Sequence, residues 1–91
     1  MTITGRITWR SEVENYQTRS GEYMTIQRVR ITSGADNIVA TAFKDTVAML
    51  ANINEHMLVS AEVRFAAREW KTADGTVRHN TEASINIISP L

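Results

Sequence analysis

The chain has no cysteine. Disulfide scaffolds and zinc–cysteine sites are thereby excluded, and a reducing cytoplasm is the expected compartment. Proline occurs once, at Pro90, and no linker, repeat or low-complexity tract is visible. Long apolar runs are also missing. The N-terminal MTITGRITWR lacks the apolar stretch of a signal peptide, and no segment approaches the ~20 apolar residues that span a bilayer. Charge of one sign is absent too: 10 basic residues balance 10 acidic ones. A strongly basic chain would point at nucleic acid; here any such role rests on where the charges sit. Eight of the ten basic residues are arginine, which stacks on flat rings and grips phosphate with a fork of donors.

Catalytic signatures are missing as well. There is no GxSxG, P-loop or GxGxxG. His56 and His79 lack metal-ligand spacing, and His56 is expected at a helix C-terminus, interacting with the dipole. Glu12 and Glu14 read as solvated charges. The sequence therefore predicts no catalytic residue, metal or cofactor, and a protein that is not an enzyme.

What is present is an ordinary globular composition, 43% hydrophobic and 22% charged over 91 residues, enough for one domain spanning 1–91. A core this thin often gains stability from a second copy, so a homodimer or homotetramer is expected. Residues 2–9 alternate, with Ile3, Gly5, Ile7 and Trp9 on one face, and read as a strand with a mid-strand glycine that permits a bend or close approach. Arg19 to Glu22 reads as a turn. Tyr23 to Thr32 and Ile38 to Phe43 read as the next strands. The period then changes: Asp45 caps a helix over about 46–56, carrying Val47, Leu50 and Ile53 at helical spacing. Two more strands follow, Leu58 to Lys71 and Val77 to Ile88. The fold class is all-β: five strands with one helix between the third and fourth, which fits a five-stranded OB-fold barrel with the helix plugging one end; a two-sheet sandwich or an open α+β sheet is the alternative.

Asp74-Gly75 predicts a two-residue hairpin turn. Such a turn sets Trp70 opposite His79 as a flat platform, with Lys71 and Arg78 on the other face. Trp70 has the parity of Glu62, Arg64 and Arg68, not of the apolar positions. A tryptophan beside arginines suits base stacking with phosphate contacts, or else packing under a loop or at a subunit contact. Arg28 and Arg30 share a strand face, as a solvated face or a phosphate track. For Trp9 and Phe43, core packing is the commoner fate. Tyr16 and Tyr23 flank the first turn, as ring platforms or hairpin packing.

These motifs resemble the OB domain of bacterial single-stranded-DNA-binding proteins over nearly the whole chain. The similarity begins at Ile3-Thr4-Gly5-Arg6-Ile7-Thr8 and continues through Tyr16 and Ser20-Gly21. Ala42-Phe43-Lys44 before the helix and Val59 to Trp70, with Glu62, Arg68 and Trp70 in register, extend it. The most specific block is Asp74 to Glu82, where Asp74, Gly75, Arg78, Thr81 and Glu82 match at fixed spacing. By this resemblance Trp70 and Phe43 stack bases, Lys44, Arg68 and Arg78 lie at or beside basic positions, and His79 replaces the family's tyrosine with another flat ring. The first strand would serve a subunit contact. Departures are a missing tryptophan near Asn37, no glycine between Glu55 and Leu58, and no linker or acidic tip after Ser89-Pro90-Leu91. The resemblance is thus to a tail-less phage, plasmid, mobile-element or primosomal relative, without tail-mediated recruitment of replication proteins.

The expected function is sequence-tolerant binding of single-stranded DNA in replication, repair or recombination, through Trp70, Phe43, Lys44, Arg68, Arg78, His79, Arg28, Arg30 and Lys71, with His79, Tyr23 or Trp9 as candidate helper rings in stacking. RNA is possible, since nothing reads the 2′-hydroxyl. The alternative is an OB-fold interaction module, a replisome, primosome or conjugation scaffold with weak or no DNA binding.

Overall fold

The alternating segments form six strands and one short helix in the computed structural model, which describes residues 1–91. They are β1 (Thr2–Arg10), β2 (Glu14–Gln17), β3 (Tyr23–Ser33), β4 (Asp36–Phe43), α1 (Asp45–Leu50), β5 (Leu58–Lys71) and β6 (Val77–Pro90). β2 is the strand the sequence hides. Its four residues are all exposed, so no burial alternates along it. It is held as an edge strand by antiparallel pairing to β3, with Tyr16 opposite Met24.

The other strands pair in a cycle: β1 with β5, β5 with β6, β6 with β4, β4 with β3 and β3 with β1. The β4–β6 link is parallel and confined to Thr41 opposite Ser84 and Ala42 opposite Ile85. The expected closed five-stranded barrel is therefore corrected to a six-stranded curled sheet with a short seam. The seam is short because both strands leave it. β4 ends at Phe43, where Lys44 takes a φ of 48° and turns the chain into α1. β6 departs with β5 as a two-stranded arm.

One face of the curl is the core. Ile7, Val29, Ile31, Ala40, Ala42, Val59, Ala61, Val63, Ile85 and Ile88 point into it from the strands, and Val47, Leu50 and Ile53 close one end. β1 reaches both neighbours by bending: Thr2 to Arg6 pair with β5, and Arg6 to Arg10 with β3. Gly5 sits at the bend, where a Cβ would meet the Thr32 carbonyl oxygen at 2.5 Å. Only glycine lets the backbones approach so closely.

The helix stops well short of residue 56. Residues 51–53 tighten into bonds three residues apart, Ala51 N–H to the Ala48 carbonyl, Asn52 to Met49 and Ile53 to Leu50, a geometry typical of helix ends. Arg10 then donates to the carbonyls of Leu50 (3.1 Å) and Ile53, satisfying groups a longer helix would use. His56 accordingly lies in a loop at φ 67° rather than on a helix terminus, and its carbonyl accepts from Arg6 at 2.7 Å. Nor does Asp45 cap the helix: Lys44 holds the cap position without a side-chain bond, and Asp45 lies in the first turn.

Candidate nucleic-acid interface

The residues pointing away from the core on β2, β3 and β4 share one outer face, fixed by register. Tyr16 lies opposite Met24, Ile26 opposite Phe43, Arg28 opposite Thr41 and Arg30 opposite Val39. Cross-strand neighbours of this kind sit ~4.5–5.5 Å apart at Cβ. The face thus interleaves rings with guanidinium groups.

Above it stands the β5–β6 arm, whose residues from Arg64 to Lys71 and from Val77 to Glu82 are all exposed. Its register differs by one residue from the expected one. Thr72 and Thr76 bracket a three-residue loop, with Thr72 N–H bonded to the Thr76 carbonyl (2.9 Å) and Gly75 N–H to the Thr72 carbonyl (3.0 Å). Gly75 takes φ 84°, as the left-handed position of a three-residue hairpin loop requires. Trp70 therefore opposes Arg78, and His79 opposes Glu69. One residue of slip moves partners to the other face. Trp70, Arg78, Arg68, Asn80, Ala66 and Glu82 share one face of the arm. Lys71 and His79 lie on the other, so the expected Trp70–His79 platform does not form.

Between this arm face and the outer face of β3–β4 runs a groove of about 700 Å³, lined by Tyr16, Arg28, Thr41, Phe43, Asn80 and Glu82 among others. Of the sequence-predicted residues, Phe43 and Arg28 line it. Arg30 continues the same outer face, and Trp70, Arg68 and Arg78 continue the arm face toward its tip. Lys44 departs from the group: it lies beside Tyr23 and α1 in a second depression, because adjacent residues at the end of β4 point to opposite sides. Tyr16, Asn80 and Glu82 were missed as site residues. The sequence offers Tyr16 as a ring platform, but nothing in it places β2 on this face.

Trp9, for which the sequence favours core packing and offers stacking only as a helper, stands outside for a sharper reason. A bulge in β1 shifts the register between Ile7 and Trp9, so that Ile7 opposes Ile31 inside while Trp9 opposes Arg30 outside. Trp9, Tyr16, Phe43 and Trp70 are between 40% and 45% exposed, so none of them is a core ring.

The basic residues divide by employment. Arg6 and Arg10 hold backbone carbonyls around the helix end. Arg68 pairs with Glu82 at 3.5 Å, and this ion pair is solvent-exposed, where such pairs contribute little. Arg30 bonds Thr8, Nε to Oγ1 at 2.9 Å and Nη2 to the carbonyl at 3.4 Å. The side chains of Arg28 and Arg78 are tied to nothing in the chain. At the arm's tip the Thr72 hydroxyl, and then the Thr76 N–H, donate to the Asp74 carboxylate and lower its pKa from 3.8 to about 2. No group of three or more histidine or acidic side chains gathers to hold a metal, and no helix is long and apolar enough to cross a membrane.

The whole chain superimposes on crystal structures of the mitochondrial single-stranded-DNA-binding protein Rim1 from S. cerevisiae. One form gives a TM-score of 0.64 at 17% identity, covering 100% of this chain and 92% of that one. A second form gives 0.61 with the same identity and coverage. The architecture is an OB fold of the kind that single-stranded-DNA-binding proteins have. No family model and no curated protein sequence matches the chain. In OB folds generally, oligonucleotides lie across the second and third long strands and between the first and last loops. In this OB fold those strands are β3 and β4, and the loops are the β2 region, which contributes Tyr16 to the groove, and the tip of the arm, which lies beyond the groove's arm wall.

Proposed function

We propose that the protein binds single-stranded DNA, with bases stacking on Phe43, Tyr16 and Trp70 and phosphates meeting Arg28, Arg30, Arg68 and Arg78. The observation that carries this reading is the groove itself, whose sheet wall sets the half-exposed rings of Tyr16 and Phe43 beside the unbonded Arg28 guanidinium, while the arm that forms its other wall carries Trp70 and Arg78 further toward its tip on the same face. Rings accept any base because every base has a π-face, so binding is sequence-tolerant. On this reading the chain is a binding protein rather than an enzyme. Its work belongs to DNA replication, repair or recombination, and the absence of cysteine suits a cytoplasmic setting. His79, Lys71 and Lys44 fall outside the path because they lie on other faces.

A homo-oligomer is part of the proposal. The core draws on only 91 residues, and Leu58 and Ile87 remain exposed on the sheet's exterior. Sedimentation at the mass of a single 10.2 kDa chain would remove that part alone.

Titration of intrinsic tryptophan fluorescence with oligo-dT, oligo-rU and a duplex of equal length tests the main reading. Quenching by the DNA single strand at far lower concentration than by duplex is expected. Equal response to oligo-rU extends the ligand to RNA. No response to any of the three overturns the reading and leaves the interaction module.

A further inference from the structure

We propose that Trp9 and Arg30 form a further binding station, which extends the strand's path past β3 and onto β1. The inference rests on the DNA-binding reading above and adds a site that neither strand parity nor the resemblance places there.

Parity puts Trp9 with Ile3, Gly5 and Ile7, facing the core. The bulge reverses this. Ile7 and its partner Ile31 are buried, and two residues later Trp9 stands outside opposite Arg30, with Arg10 directed inward opposite Val29. Bulges insert one unpaired residue and re-aim the side chains beyond it; here the inserted residue is Thr8. One insertion thus does two things. It sends Arg10 under the end of the sheet to hold the Leu50 and Ile53 carbonyls, and it puts the Trp9 ring in solvent, 42% exposed.

The bulge also positions the neighbouring charge. Thr8 Oγ1 lies 2.8 Å from Thr32 Oγ1 and accepts from Arg30 Nε at 2.9 Å. The Arg30 guanidinium is therefore drawn toward β1, beside Trp9, while its Nη1 makes no bond in the chain. A fixed arginine with a free donor next to an exposed indole is the pairing that holds a phosphate and stacks the attached base. The station is continuous with the groove. Trp9, Arg30 and Val39 lie opposite one another across β1, β3 and β4, and Arg28 opposite Thr41 forms the adjoining row. Strands ~4.8 Å apart make this a step of about 10 Å from β4 to β1.

Trp9→Ala should weaken binding of a long oligo-dT by roughly five- to over a hundredfold, the loss of one stacked base. Trp70 emission should still be quenched in that variant, and Trp9→Phe should restore most of the affinity. In a Trp70→Phe chain, Trp9 is the sole emitter, and its fluorescence should change on saturation with oligo-dT even if Trp9→Ala fails to fold. Unchanged Trp9 emission at saturation, or Trp9→Ala binding like the unaltered chain, overturns this proposal and leaves the groove reading standing. An unaltered chain that binds no single strand removes both. Trp9 emission that shifts with protein concentration in the absence of DNA assigns the ring to a contact between copies and overturns the proposal.

Discussion

Replacing Trp70 by alanine removes a ring that is 42% exposed and outside the core cluster. Stacking is worth ~1–3 kcal/mol per base, so oligo-dT affinity should fall roughly five- to over a hundredfold. The thermal midpoint should stay near that of the unaltered chain; truncating a buried tryptophan would instead cost about 3–5 kcal/mol of stability. A variant that unfolds, or that binds normally, contradicts the assignment. Asp74 gives a second test at this scale. Its carboxylate is stabilised by bonds from Thr72 and Thr76, which lower its pKa from 3.8 to about 2. A depressed pKa means that the contribution to the turn is complete above pH 3.8 and is lost as pH falls through about 2. An NMR titration should place the Asp74 midpoint near the lower value, and a midpoint at 3.8 would mean that the loop bonds do not form in solution. At this scale the exposed Trp70 and the arginines of β3 were legible, because alternation assigns faces within one strand.

Between elements the sequence was a poorer guide, and the errors share one cause. Strand period is two, so a single inserted residue exchanges the faces. The bulge at Thr8, the register shift between Glu62 and Val63 and the three-residue loop at the arm's tip each insert one residue. None leaves a mark in composition, yet together they decide that Trp9 is outside, that Ile87 is outside while Ile88 is buried, and that Trp70 meets Arg78. The helix ends earlier than its spacing predicts for a different reason: Arg10, forty residues away, bonds the carbonyl of its last residue, Leu50, which local spacing cannot show. Gly5, by contrast, was legible as a bend. Gly5→Ala would set a methyl 2.5 Å from the Thr32 carbonyl oxygen, backbone that cannot move without separating β1 from β3. Overpacking of this kind costs about 1–3 kcal/mol. Urea denaturation should show a midpoint lowered accordingly, and an unchanged midpoint would mean that β1 does not bend there.

For the molecule as a whole, zero net charge limits long-range attraction, and on the proposed reading binding relies on the arginines of β3 and of the arm. Each phosphate contact on a single strand contributes about −0.7 to the log–log salt slope. Contacts from Arg28, Arg30, Arg68 and Arg78 therefore predict a slope no steeper than about −3. Equilibrium titrations across a range of salt concentrations check this. A slope near −7, the signature of about ten contacts, would show that the strand follows another path. The order of the five long strands and the helix is legible because it is written in runs of several residues, while β2, with four exposed residues, and the shortness of the β4–β6 seam, only two pairs long, leave no periodic trace.

The arm carries much of the proposed interface but contributes none of its exposed residues to the core. Heredity can therefore treat affinity and foldability as nearly separate traits. Substitutions along Arg64 to Lys71 and Val77 to Glu82 are free to retune or abolish ligand binding in a lineage whose sheet still assembles. At the Thr8 bulge that freedom ends, because deleting one residue there would swing Trp9 inward and take Arg10 from the helix end at the same time.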